Sequence, residues 1–335
     1  MKVGINGFGR IGRDVARILW EQDIPGLELV HINSSGDFED LKHLFKYDSL
    51  YGKFSKPIEA TDEGFIVDGK KVSVSGFRTP EDIPWGEAGV ELVIDGTGAF
   101  RDKESLSKHL HGTVKKVILT APGKDLDATI VMGVNDEIYD PKEHHIVSNA
   151  SCTTNCLAPV AKVMEDTFGI KRGLMTTVHA YTGDQMLLDS RHKKDPRRAR
   201  AAALSMVPTT TGAAKAVAEV IPQLKGKLNG YALRVPTPTV SAVDVVLELN
   251  RSTTMEEVNR VLKEAAEGKL KGILEYTEEE LVSIDFQGNP HSSIVDSKLT
   301  MMMGDDMVKI VAWYDNEWGY SCRVVDLAKM IAQQG

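Results

Sequence analysis

The first half of the chain alternates short apolar stretches with helix-spaced apolar patterns. Lys2 to Asn6 has the composition of a short strand, and Arg13 to Trp20 repeats its apolar residues with the period of a helix. Further strands are predicted at 27–32, 71–75, 92–94, 116–119 and 145–147. Helical stretches separate several of these strands, a rhythm typical of a parallel sheet covered by helices on both faces.

The second half lacks this rhythm. Residues 174–180, 242–249 and 307–313 are β-branched, alternating or apolar strands, and residues 254–267 have a helical pattern. Such a pattern favours a mostly antiparallel sheet with helices on one face. A last helix, at 324–331, is expected to return to the first domain.

Charge and composition exclude several classes of protein. The chain has 40 Lys and Arg against 48 Asp and Glu, which gives no support for a nucleic acid as the primary partner. We expect no membrane association, since no apolar run approaches the ~20 residues that span a bilayer. The N-terminus begins a strand without signal-peptide features, so a cytoplasmic location is expected.

A glycine pattern directly follows the first strand and opens the first helix. Gly7 allows a tight turn, Gly9 lets the backbone approach a pyrophosphate, and Gly12 allows close packing of helix on strand. We therefore predict an α/β fold with a Rossmann-type doubly wound parallel sheet and an α+β catalytic domain. The predicted domains are a dinucleotide-binding domain at 1–150 and 316–335 and a catalytic domain at 151–315.

The segment from Ser148 to Cys156 places a cysteine among small hydroxyl and amide residues. Cys152 lies between a predicted strand and a predicted helix, where the positive end of the helix is expected to lower its pKa. Cys156 and Cys322 are expected to be structural. Three cysteines with this spacing do not indicate a disulfide framework, and no metal site is predicted.

Three motifs together resemble glyceraldehyde-3-phosphate dehydrogenase over nearly the whole chain. They are residues 7–12, residues 148–156 and the segment Trp313 to Glu317, in the order and spacing of that family. The resemblance implies phosphorylating oxidation of glyceraldehyde 3-phosphate to 1,3-bisphosphoglycerate, in glycolysis or gluconeogenesis, through a cysteine thiohemiacetal and thioester. It also implies a homotetramer. Two alternatives are erythrose-4-phosphate dehydrogenase and a non-catalytic nucleotide-binding protein with RNA or protein partners.

The resemblance assigns roles to individual residues. Cys152 and His179 match the catalytic pair. Substrate and inorganic phosphate are expected at Ser151, Cys152, Thr153, Thr182, Arg197, Thr211, Gly212 and Arg234, with the choice among Arg197, Arg198 and Arg200 left open. Cofactor contacts are expected at Gly7, Gly9, Arg10, Ile11, Gly12, Ser34, Arg78, Thr97, Thr120, Ser190, Arg191 and Asn316.

The residues expected to contact the adenosine ribose favour NADP. Ser34 follows Asn33, where NAD-preferring relatives have an aspartate that would repel a 2′-phosphate. Ser190 and Arg191 stand where those relatives usually have leucine and proline, and the arginine adds a cation. We expect use of NADP or of both cofactors. The alternative is that Asp37 replaces the missing carboxylate and NAD stays preferred.

Overall fold

The computed structural model describes residues 1–22, 24–193 and 195–335, which pack into two compact units. The first unit contains Met1–Ile130, Asp136–Ala150 and Ser321–Gly335, and the second contains Val131–Asn135 and Ser151–Tyr320. The returning segment of the first unit thus begins five residues after position 316. Because a compact unit is not in itself a folding domain, the domain limits stay a prediction.

A nine-stranded sheet forms the first unit, in the order β10-β11-β9-β8-β1-β2-β7-β6-β5. The strands from β10 to β7 run parallel, and β6 pairs antiparallel with both β5 and β7. Its strands are β1 (Lys2–Asn6), β2 (Glu28–Asn33), β5 (Ile58–Thr61), β6 (Gly64–Val67), β7 (Lys70–Ser75), β8 (Leu92–Asp95), β9 (Lys116–Leu119), β10 (Ala128–Thr129) and β11 (Ile146–Ser148). A separate short pair comprises β3 (Tyr47–Asp48) and β4 (Gly52–Lys53).

The central strands of this sheet are buried on both faces. Every residue of β8 and β9 is buried, as a parallel sheet between two helical layers requires. The helices of this unit are α1 (Arg10–Glu21), α2 (Phe38–Lys46), α3 (Trp85–Ala88) and α4 (Lys103–Ser107), and α8 (Trp318–Gln334) adds its residues from Ser321 onward. The Rossmann-type fold predicted from the sequence is confirmed.

An eight-stranded mixed sheet forms the second unit, in the order β13-β14-β12-β15-β19-β17-β16, with β18 paired to β19. Its strands are β12 (Ile170–Ala180), β13 (Val207–Thr210), β14 (Leu228–Val235), β15 (Ser241–Leu249), β16 (Leu274–Thr277), β17 (Ser293–Asp296), β18 (Met301–Met303) and β19 (Met307–Tyr314). The pairs β12 with β14 and β16 with β17 are parallel, and the remaining pairs are antiparallel. Its helices are α5 (Cys152–Phe168), α6 (Ala213–Val220) and α7 (Met255–Glu267).

Candidate active site

Cys152 is the first residue of helix α5. Ser151 caps this helix through its hydroxyl, which accepts the backbone N–H of Thr154 at 3.0 Å. Ala150, just before the cap, has φ of 56°, a left-handed conformation that is unusual for a residue with a side chain. The turn places the half-buried Cys152 at the positive end of a 17-residue helix.

His179 faces this cysteine from the end of strand β12. Its Nε2 lies 3.6 Å from the Cys152 sulfur, and its side chain is buried. The ring packs edge-on against Tyr314, with the centroids 5.9 Å apart. The sequence could place His179 only at a strand end, and the fold brings it to the thiol.

Arg234 is the register partner of His179 on the neighbouring parallel strand β14. Its Nη1 lies 2.5 Å from His179 Nδ1 and 3.1 Å from the Ala180 carbonyl oxygen, which itself lies 2.8 Å from the same Nδ1. A guanidinium only donates hydrogen bonds, so Nδ1 accepts from Arg234 in one tautomer and donates to Ala180 in the other. The first tautomer presents an Nε2 proton to the thiol and the second presents a lone pair.

The protonation of this pair differs from the sequence-based expectation. Burial raises the pKa of the Cys152 thiol, while the charge of Arg234 and hydrogen bonds from Thr153 act in the opposite direction. The expectation of a lowered cysteine pKa is therefore wrong in net direction. Burial, aided by Arg234, lowers the pKa of His179 to about 3, so the histidine is neutral at physiological pH.

The residues assigned to phosphate binding have different surroundings. Thr153 is buried, and its Oγ1 lies 2.9 Å from the Tyr314 hydroxyl, which is the same distance from Thr177 Oγ1. Thr182 is half-buried after the end of β12. Thr211 follows strand β13 and accepts the backbone N–H of Ala213 at 3.1 Å. Gly212 caps helix α6 with open space at its Cα.

Three neighbouring arginines have different surroundings. Arg198 is half-buried and donates to the Thr210 carbonyl oxygen at 3.4 Å. It forms ion pairs with Asp184 and Asp195. Burial and the charge of Arg234 lower its pKa. Arg200 is exposed and pairs with Asp189. Arg197 is exposed, and within the described residues its side chain makes no hydrogen bond or ion pair. The structure therefore brings Arg198, rather than Arg197, toward the site.

The glycine loop of the first unit has the close contacts that its sequence predicts. Gly7 has φ of +92°, and a Cβ there would lie 2.8 Å from the backbone of Thr97. A Cβ at Gly12 would lie 2.1 Å from the Gly7 carbonyl oxygen. Gly9 caps α1 without a side-chain hydrogen bond and has open space at its Cα. This end of α1 fits a pyrophosphate, since backbone N–H groups and the helix dipole face an unobstructed side.

Three adjacent parallel strands end in buried polar side chains beneath that loop. Asn33 donates to Asn6 Oδ1 at 2.8 Å, and Asn6 donates to Asp95 Oδ2 at 2.8 Å. The other carboxylate oxygen of Asp95 accepts the Thr97 hydroxyl at 2.7 Å, and His109 lies 3.1 Å from Oδ2. Because each amide and carboxylate has partners, this network fixes the strand ends that carry the predicted cofactor contacts.

The other predicted cofactor residues have separate positions. Ser34 is half-buried directly after β2, and its N–H donates to Ser75 at 2.8 Å. Asp37 caps helix α2 by accepting the N–H of Asp40 at 2.9 Å. Thr120 Oγ1 donates to the Asp95 carbonyl oxygen at 3.0 Å. The remaining residues are Arg10, paired with Asp48; Ile11, half-buried in α1; Arg78, exposed after β7; and Ser190 and Arg191, exposed in the second unit.

Asn316 is buried in the second unit beside a serine that sequence reasoning missed. Its Oδ1 accepts the hydroxyl of Ser241 at 2.8 Å. Tyr314, also missed, bridges Thr153 and Thr177 behind the thiol. Ser241 stands in no motif, and Tyr314 lies in the motif from Trp313 to Glu317 without having been assigned a role. Each lies at the end of a β-strand and acquires its partners through the sheet register.

The described residues contain neither a cluster of metal ligands nor a membrane-spanning helix. Among the residues with described positions, no group of three or more His, Cys, Asp and Glu side chains could hold a metal ion. No helix in those same residues is long and apolar enough to cross a membrane.

Comparison with known proteins gives matches over both units. The family model "Glyceraldehyde 3-phosphate dehydrogenase, NAD binding domain" matches residues 1–103, and the model of the C-terminal domain matches residues 151–316. Glyceraldehyde-3-phosphate dehydrogenase of Geobacillus stearothermophilus is 58% identical over 335 residues, covering 100% of this chain and 99% of the relative. Glyceraldehyde-3-phosphate dehydrogenase 1 of Bacillus subtilis is 57% identical over the same length and with the same coverage. With the two domain matches and relatives of this identity over its full length, the chain belongs to the glyceraldehyde-3-phosphate dehydrogenase family.

Proposed function

We propose that Cys152 carries the covalent chemistry by which this chain oxidises glyceraldehyde 3-phosphate to 1,3-bisphosphoglycerate. The activity and its NAD-type cofactor follow from membership in the family, and nothing favours erythrose-4-phosphate dehydrogenase. The observation that carries the assignment of residues is the 3.6 Å contact between Cys152 Sγ and His179 Nε2 at the start of α5. A non-catalytic nucleotide-binding protein would not need this pair.

The tautomer of His179 that has a lone pair on Nε2 suits both proton transfers. With Nδ1 donating to Ala180, Nε2 accepts the thiol proton, and the sulfur attacks the aldehyde carbon to give a thiohemiacetal. The Cys152 N–H, at the helix start, stabilises the oxyanion. His179 Nε2 returns the thiol proton to the oxyanion to form the thiohemiacetal hydroxyl, and accepts it again as hydride leaves the same carbon. The bound nicotinamide supplies the hydride acceptor. Phosphate finally attacks the thioester, and the thiolate leaves.

Two sets of residues recognise the phosphate groups. Arg234 and Thr182 are assigned to the substrate phosphate, because Arg234 already lies beside His179. Ser151, Thr211 and Gly212 are assigned to inorganic phosphate, together with the backbone of Thr153, whose hydroxyl is turned to Tyr314. Arg198 completes this second set in place of Arg197, because it donates to Thr210 and the charge of Arg234 lowers its pKa.

The cofactor is NADP, or both NADP and NAD. Asp37 is the one residue expected to restore NAD preference, but its carboxylate caps α2. Ser34 carries no charge against a 2′-phosphate, and Arg191 is an exposed cation available to bind one. The glycine loop and Arg10, Ile11, Arg78, Thr97 and Thr120 hold the remainder of the cofactor, and Asn316 binds its carboxamide.

The assembly is a homotetramer, and it acts in the cytoplasm. The exposed apolar side chains of the second unit support association, since Leu187 and Leu204 are each about four-fifths exposed. In this assembly Ser190 and Arg191 of one protomer reach the ribose of another.

The specificity constants for NADP and NAD test the cofactor assignment. The wild-type chain is expected to use NADP efficiently, and Ser34→Asp with Arg191→Pro is expected to shift preference toward NAD. Arg251→Leu, at an exposed arginine outside the site, is the control. A wild-type preference for NAD of about a hundredfold, or roughly 2.7 kcal/mol, would contradict the assignment.

A further inference from the structure

A buried serine connects Asn316 to the strand of the catalytic histidine. Ser241 is the first residue of β15 and is 1% exposed. Its Oγ accepts the backbone N–H of Ala180 at 3.0 Å and donates to Asn316 Oδ1 at 2.8 Å. Ala180 directly follows His179, so one hydroxyl joins the two assigned functional side chains.

The residues around Ser241 hold it in a fixed place. Thr239 Oγ1 donates to Asp315 Oδ1 at 3.1 Å, so two hydroxyls of one segment hold two consecutive residues of the other. Between them, Val240 is buried and has φ of 64°. A β-branched residue adopts this left-handed conformation only where its surroundings impose it, and such strain concentrates at functional sites.

The chemistry of the hydroxyl determines how Asn316 is oriented. The Ser241 hydroxyl accepts the Ala180 N–H with one lone pair and donates its single proton to Asn316 Oδ1. The amide oxygen is thereby turned inward. Within the described part of the chain, Asn316 Nδ2 makes no hydrogen bond, so its two protons remain for an acceptor on a ligand.

We propose that Ser241 is a positioning residue for hydride transfer. It holds the Asn316 amide so that Nδ2 donates to the carboxamide oxygen of the nicotinamide. It also keeps that donor at a fixed position relative to His179. The inference rests on the proposed contact between Asn316 and the carboxamide.

Steady-state kinetics of Ser241→Ala, with its hydroxyl removed, provide the test. We expect the specificity constant for the cofactor to fall about tenfold, while the KM for glyceraldehyde 3-phosphate and the alkylation rate of Cys152 change less than twofold. With reduced cofactor that carries deuterium at C4, more deuterium should be transferred from the opposite face of the nicotinamide ring than in wild type. Ser292→Ala is the matched control, because the hydroxyl of this buried serine has no hydrogen-bond partner among the described residues and is assigned no role in the site. It should behave as wild type.

Two further variants keep the proposal testable if Ser241→Ala folds poorly. Ser241→Thr keeps the hydroxyl and should recover the cofactor specificity constant to within threefold of wild type. Ser241→Cys is close to serine in size but is a weaker hydrogen-bond donor, so it should lower the specificity constant for the cofactor. An unchanged cofactor specificity constant in both Ser241→Ala and Ser241→Cys would overturn the proposal, as would equal losses for cofactor and aldehyde.

Asn316→Ala separates this proposal from the assignment on which it rests. If Asn316→Ala loses cofactor specificity and Ser241→Ala does not, Ser241 has no positioning role and the contact between Asn316 and the carboxamide stands. If Asn316→Ala leaves the cofactor constant unchanged, that contact is absent and the role of Ser241 fails with it. When both act through the same amide, the double variant loses no more than Asn316→Ala alone.

Discussion

At the scale of single residues, the reactivity of Cys152 depends on a neighbouring cation. The Arg234 guanidinium lowers the pKa of the thiol against the larger effect of burial. Arg234→Leu is therefore expected to move the pH midpoint for iodoacetamide alkylation of Cys152 upward. The measurement is the alkylation rate against pH, with Arg260→Leu, an exposed arginine paired with Glu264, as control. An unchanged midpoint in Arg234→Leu would show that the charge does not act on the sulfur.

Two adjacent arginines allow a matched comparison. Arg198 is held near the site by its contact with Thr210, whereas Arg197 is exposed. Arg198→Leu should raise the KM for inorganic phosphate at least tenfold, because a charge-assisted hydrogen bond contributes about 1.5 to 3 kcal/mol. Arg197→Leu should change it less than threefold. The reverse ranking of the two KM values would restore the sequence-based choice of Arg197.

The difference between these arginines shows what the sequence could not supply. The glycine loop was predictable because its requirements, a left-handed turn and close helix packing, are local to residues 7–12. Cys152 was predictable for the same reason. Arg197 and Arg198 are neighbours with the same chemistry, so only the path of the chain after Asp195 distinguishes them. The raised pKa of Cys152 likewise depends on burial that no local pattern reports.

At the scale of structural elements, buried histidine links the stability of the first sheet to pH. His31 on β2 lies 2.7 Å from Ser73 Oγ and 2.8 Å from Ser75 Oγ, both on β7, and burial lowers its pKa from 6.5 to about 4. As pH falls from 6.5 toward 4, the unfolded chain binds a proton that the folded chain does not. The free energy of unfolding should therefore decrease by up to about 3 kcal/mol over this window.

A non-titrating substitution tests this origin of the pH dependence. His31→Gln retains hydrogen-bonding groups for the two serines, so its thermal midpoint should fall less steeply than that of wild type between pH 6.5 and 4. Both proteins are compared at one concentration, because assembly also affects the midpoint. Parallel pH profiles would exclude His31 as the source.

The elements themselves were predicted well where burial pattern and period agree. Strand β1 and strand β9 have the predicted bounds, since their apolar runs are flanked by clear turns or polar residues. The two parallel pairs within the second sheet were not foreseen. Strand pairing depends on which strands meet in space, and a single strand's pattern does not specify its neighbour's direction.

At the scale of the whole molecule, exposed apolar surface predicts assembly. Large apolar side chains of the second unit are exposed at Leu174, Val178, Leu187, Leu188, Leu204, Met206 and Tyr231. Leu187→Asp with Leu204→Asp should reduce the tetramer fraction by placing charges in a buried interface. Ile138→Asp, at a half-exposed position in the first unit, is the control. Light scattering should give four chain masses for wild type; an active wild-type monomer would contradict the assembly.

Rapid mixing in the absence of phosphate tests the central claim, a thioester on Cys152 that inorganic phosphate resolves. Enzyme mixed with glyceraldehyde 3-phosphate and NADP or NAD should produce one equivalent of reduced cofactor per active site, and then nearly stop until phosphate is added. Cys152→Ser should give neither the burst nor the phosphate-dependent turnover. Sustained turnover without phosphate, or a full burst from Cys152→Ser, would contradict the account.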